Sequence, residues 1–68
     1  MSAKAVVVKR DNGYVYVNYF RRINNDYDSL VGSRKYSSKD VERFINEEDV
    51  QGIGLFLKNS NVGDVFNF

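Results

Sequence analysis

The chain has no cysteine, no histidine, no proline and no tryptophan in its 68 residues. Each absence closes a class of explanation. Without cysteine there is no disulfide framework and no thiolate metal site. Without histidine the commonest transition-metal ligand and the usual general base at neutral pH are missing. A base would have to be a carboxylate or a lysine with a shifted pKa. With no proline, no low-complexity run and no internal repeat, nothing marks a linker, and residues 1–68 read as one compact domain. Long apolar runs are lacking too. The longest is Ala5-Val6-Val7-Val8, and no apolar stretch of signal-peptide length accompanies Lys4. The expectation is a soluble, cytoplasmic protein with no membrane partner.

What is there is a folded-type composition: 43% hydrophobic residues, with five tyrosines and five phenylalanines. At this length apolar burial barely offsets chain entropy. Tight packing, self-association into a homo-oligomer or a partner must make up the difference. The net charge of +1 conceals two unlike halves. Residues 1–39 carry eight basic and three acidic side chains, and residues 40–68 carry two basic and six acidic. Such a layout steers partners rather than fixing a fold.

The run Lys4 to Arg10 is β-branched and strand-like, as is Tyr14 to Ile23. Asn12-Gly13 between them is a hairpin signal, because both residues tolerate positive φ. A two-residue turn sets Val8 opposite Val17, and a three-residue loop with Gly13 in a bulge sets Val7 there. The first is favoured. Around Leu30-Val31 the chain forms either a third strand, with Gly32 at a bulge, or an irregular loop. From Tyr36 to Asp49 a helix is expected. Ser37 caps it, Asp40 sits three residues on, Tyr36 and Val41 occupy staple positions, and Val41, Phe44 and Ile45 form one apolar stripe. Ile53 to Lys58 reads as a buried strand, Asn59-Ser60-Asn61 as a turn, and Asp64 to Phe68 as a strand closing a hairpin. The predicted fold is small α+β. It is an antiparallel sheet of four to five strands in the order β-β-(β)-α-β-β, with one helix packed on one face. One short helix cannot cover both faces.

Parity divides the second strand. Val15, Val17 and Tyr19, continuing to Arg21, share one face; Tyr14, Tyr16, Asn18 and Phe20, continuing to Arg22, share the other. The valine side is the better core, since it has no polar group to satisfy. The aromatic side is the candidate surface, with Lys9 beside Tyr16 under the two-residue turn. Tyrosine and phenylalanine also serve ordinary sheet packing, which competes with any binding role. The acidic run Glu47, Glu48 and Asp49 falls near a helix C-terminus, where the macrodipole disfavours it. It reads either as a solubilising end or as a contact for a basic partner.

The function expected is a non-enzymatic interaction module that binds a macromolecule, protein ahead of nucleic acid. Its partner-binding residues would be Tyr14, Tyr16, Phe20, Arg22, Glu47, Glu48 and Asp49. Eight asparagines and the four absences are at home in compact phage or mobile-element proteins, which suggests a stoichiometric inhibitor or regulator. The alternative is a nucleic-acid-binding module using Lys9, Arg21, Arg22, Arg34 and Lys35 beside the same rings. A sequence pI of about 8.0 is low for a dedicated duplex binder. No catalytic residue, cofactor or metal is expected. Ser37 and Ser38 are accounted for by capping, and the carboxylates Asp26 and Asp28 sit in a turn. Phe66 and Phe68 alternate and should lie on one face, in the core or in a subunit contact, so losing the last three residues should destabilise the fold or break a dimer.

Overall fold

Valine-rich segments and one Asn-Gly turn set the first half of the molecule. A computed structural model describes residues 3–24, 27–48 and 52–68. Strand β1 (Ala3–Asp11) turns at Asn12-Gly13 into β2 (Tyr14–Asn24), and β3 (Tyr27–Ser37) continues the meander. Two helices follow, α1 (Ser38–Glu48) and α2 (Ile53–Asn59), and the short β4 (Val65–Asn67) ends the order. The four strands form one antiparallel sheet in the order β3-β2-β1-β4. This is the small α+β class expected, with an antiparallel sheet of four strands.

The hairpin combines features of both anticipated registers. Asn12 and Gly13 have φ of 52° and 81°, and Asp11 pairs with Tyr14, so the turn has two residues. Yet the register slips between Val7 and Lys9, leaving Val8 as a bulge and Val7 opposite Val17. Val7 is fully buried and Val8 is 43% exposed. An unbulged strand would have buried Val8 and turned Val7 outward. The bulge lets Lys9 remain opposite Tyr16 while both flanking stretches keep their small apolar residues on the core side. β3 is a full strand of eleven residues, and it too slips a register, at Val31 beside Gly32.

Two predicted features are corrected. Ile53–Asn59 is a helix, not a buried strand. Gly54 and Leu57 are buried while Leu55 is exposed, which is a period near 3.6 rather than 2. Gly52 enters α2 with φ 81°, a left-handed geometry that glycine adopts without a Cβ penalty. The sheet is therefore covered by two helices rather than one. β4, lacking a strand partner in Ile53–Asn59, pairs instead with β1, Ala5 against Phe66.

The N-terminus of α1 is as expected. The Ser37 hydroxyl accepts from the Asp40 N–H at 3.2 Å, and the Ser37 N–H donates to the Asp40 carboxylate at 3.0 Å. This reciprocal pair is a capping box with aspartate in place of glutamate. It holds the Asp40 carboxyl below the usual carboxylate range, first through the Ser37 backbone bond. Helix α1 then lays Val41, Phe44 and Ile45 on the sheet. The core consists of Ala5, Val7, Val15 and Val17 from the sheet, Val41 from α1 and Leu57 from α2. Tyr19, Tyr36, Phe56 and Phe66 pack around it. Both helices thus take the valine face.

Candidate binding surface

The opposite face of the sheet has no helix over it among the described residues. On β2 it presents Tyr14, Tyr16, Asn18, Phe20 and Arg22, since side chains alternate along a strand. The registers on either side bring up basic neighbours. Lys35 of β3 pairs with Tyr16, and Lys9 and Lys4 of β1 pair with Tyr16 and Phe20. Each ring has one ammonium near it: Lys35 Nζ lies 4.8 Å from the Tyr14 centroid, Lys9 Nζ 5.3 Å from Tyr16, and Lys4 Nζ 5.7 Å from Phe20. At such partly exposed sites each contact contributes about 0.5–1 kcal/mol. Tyr14 is 40% exposed, and Tyr16 and Phe20 are half-buried between neighbouring strands.

One end of the face is pinned by charge. The Asp28 carboxylate accepts from Lys4 Nζ at 2.9 Å and from Arg22 Nε at 3.2 Å. The Lys4 bond first, then the Arg22 bond, holds the Asp28 carboxyl below its ordinary range. In the middle, Ser33 Oγ donates to Asn18 Oδ1 at 2.7 Å. The exposed aliphatic side chains Leu30 and Val65 share this face with the rings.

The structure brings some of the anticipated site residues together and separates others. Tyr14, Tyr16, Phe20 and Arg22 share the open face, with Lys9 and Lys35 beside them. Arg21 and Arg34 pair across from Ser29 and Val17, on the face the helices take. Both are exposed there, with the sheet between them and the rings. The basic cluster of five residues is therefore split three to two. Glu47 is exposed in the last turn of α1, in the helix layer, and so cannot join the open face in one flat contact. Glu48 closes α1, and Asp49 lies outside the described residues, as does Asp26.

Lys4 was not legible as a site residue. An unbulged hairpin sets it opposite Arg21; only the slip at Val8 moves it to Phe20. Arg10 was missed as well. Its guanidinium donates to the Leu57 carbonyl and, at 3.0 Å, to Ser60 Oγ, tying the hairpin to the C-terminal end of α2. There a cation also meets the negative pole of the helix.

A cleft of about 510 Å³ opens between the hairpin turn and the two helices, over Val15, Val41 and Leu57. Several polar groups at its rim are engaged: Arg10 as above, Lys58 with Glu42 at 3.6 Å, and Ser38 Oγ with the Gly13 carbonyl at 3.4 Å. Among the described residues no group of three or more acidic side chains converges as a metal site, and no helix is long and apolar enough to cross a membrane. Compared with protein-family models, with curated proteins and with solved structures, the chain matches none.

Proposed function

We propose that this chain is a non-catalytic, cytoplasmic binding module, and that the open face of its sheet takes single-stranded nucleic acid. The observation that supports this reading is the pairing of three rings with three ammonium groups on one uncovered face. Bases stack on exposed aromatic faces in a sequence-tolerant way, and flexible lysines swing from ring to phosphate as the strand arrives. Protein interfaces, by contrast, are depleted in lysine. That contrast ranks nucleic acid ahead of a protein partner, reversing the order expected from the sequence.

The test is fluorescence anisotropy with single- and double-stranded oligonucleotides at rising salt. If about three phosphates are neutralised, the logarithm of affinity should fall with the logarithm of salt at a slope of about −2. Tyr16→Ala should weaken binding about tenfold, within the roughly 1–3 kcal/mol that stacking contributes per base. No binding at the lowest salt would sink the reading.

A protein partner, engaged by an inhibitor or regulator, is the second reading. Leu30 and Val65, exposed beside the rings, favour it, since phosphates have no use for them. In that case affinity capture from the source cell should recover one protein with the native chain and lose it with Phe20→Ala.

A further inference from the structure

Every strand of the sheet except β3 has a neighbour on both sides or, in the case of β4, is only three residues long. β3 runs for eleven residues and, among the described residues, pairs with β2 alone. Its outer row of N–H and C=O groups is thus an open template for another strand. Edges of this kind are ordinarily blunted by charge. Here the middle of the edge is Leu30-Val31-Gly32-Ser33, with Leu30 55% and Val31 59% exposed. The core is also thin. Among the described residues nine large hydrophobic side chains are exposed, against five buried beside Ala5, so the chain has apolar surface left to cover.

We infer that β3 pairs antiparallel with β3 of a second copy of this chain, across a two-fold axis between Val31 and Gly32, joining two sheets into one of eight strands. Charge and parity select this register. It sets Asp28 opposite Lys35, Ser29 opposite Arg34, Leu30 opposite Ser33 and Val31 opposite Gly32. The two basic residues of each copy then face a carboxylate and a hydroxyl of the other. A register centred on the basic pair sets Arg34 against Lys35, which repel.

Parity is the more demanding condition. Asp28 and Lys35 are seven residues apart, so an unbroken strand would point them to opposite faces. The slip at Val31 brings both to the open face, in register with Arg22 and Tyr16, and does the same for Leu30 and Ser33 opposite Phe20 and Asn18. A two-fold axis perpendicular to the sheet keeps each face on its own side. The pairs Asp28/Lys35, Ser29/Arg34 and Leu30/Ser33 therefore each have both members on one face, as antiparallel neighbours must. The pairing does not rest on nucleic acid binding to the rings and stands if that reading fails.

Sedimentation equilibrium of the full chain should give twice the mass of one chain. Val31→Lys, at an exposed position, should keep the native far-UV circular dichroism and raise the dimer dissociation constant about tenfold or more, because two like charges meet near the axis. The chain has no cysteine, so introduced thiols report the register cleanly. Oxidising the Leu30→Cys/Ser33→Cys variant should yield a covalent dimer, whereas Leu30→Cys/Lys35→Cys should not. Within one chain positions 30 and 33 stand opposite Phe20 and Asn18, about 7 Å apart at the limit of disulfide reach, and any bond within one chain is told from the covalent dimer by its single-chain mass. A single-chain mass at every soluble concentration overturns the inference. So does a dimer that Val31→Lys leaves intact, or one that cross-links through positions 30 and 35 instead of 30 and 33.

Discussion

Arg10 is the side chain that ties the first hairpin to the end of α2. Its two bonds, to the Leu57 carbonyl and Ser60 Oγ, span 47 and 50 residues of sequence. Replacing it with methionine keeps the apolar stem and removes both bonds. Because the group is exposed to solvent, we expect a loss of about 1–2 kcal/mol in urea unfolding, towards the low end for charged hydrogen bonds. Ser37→Ala removes half of the capping box and should cost about 1 kcal/mol in the same measurement.

The two depressed carboxyls, Asp28 and Asp40, also set an acid limit. Their folded values lie below the unfolded one, so their contribution is complete above about pH 4 and is lost as pH falls further. The melting temperature should hold from neutral to about pH 5 and drop below about pH 4, less steeply for Asp28→Asn. Tyr19 sets the alkaline limit. Burial first, then the 2.8 Å hydrogen bond with Tyr36, pushes its hydroxyl up from 10.0. Stability tied to that proton is present below about pH 10 and lost above it.

Among the elements, those with a strong local signal were legible. The Asn12-Gly13 turn, the β-branched strands and the Ser37/Asp40 cap each follow from side-chain chemistry within a few residues. Ile53–Asn59 was not. Ile53, Phe56 and Leu57 satisfy a helical stripe, but the short, largely apolar run Ile53 to Leu57 satisfies a buried strand equally well, and only packing on the sheet decides between them. Bulges are hidden for a related reason. Nothing in "AVVVKR" says which valine is the extra one; the choice comes from fitting Val7 beside Val17 while keeping Lys9 at Tyr16. A pair of substitutions checks this. Val7→Ala should cost about 2–3 kcal/mol, and Val8→Ala no more than about 0.5, by urea unfolding. The unbulged hairpin predicts the reverse.

At the scale of the whole molecule, the division into a valine face and an aromatic face could be read from parity along β2, with the valine side the better core, but which face the helices cover is decided by packing. Of the basic side chains beside the rings, Lys9 could be placed at Tyr16 from the two-residue turn, whereas Lys4 at Phe20 could not, because it depends on the slip at Val8. The split of Arg21 and Arg34 from Lys9, Arg22 and Lys35 has a measurable consequence. Arg34→Ala should leave oligonucleotide affinity within about twofold, whereas Lys9→Ala should lower the salt slope by about one phosphate's worth.

Of the three slips, those at Val8 and Val31 fall in the strands that flank β2 and the third falls at Ile23 near the end of β2, so β2 runs unbroken from Tyr14 to Arg22. The outer strands have already absorbed one extra residue each. Between Tyr14 and Arg22 the middle one keeps its count, with same-face residues about 7 Å apart. Insertion of a single residue is therefore not one kind of event in this sheet. Near position 8 or 31 it lengthens an existing bulge. Between 15 and 20 it exchanges valines for rings, sending part of the core to the surface and part of the surface into the core. A library of one-residue insertions should thus sort by strand, with β1 and β3 yielding folded protein and the centre of β2 yielding none.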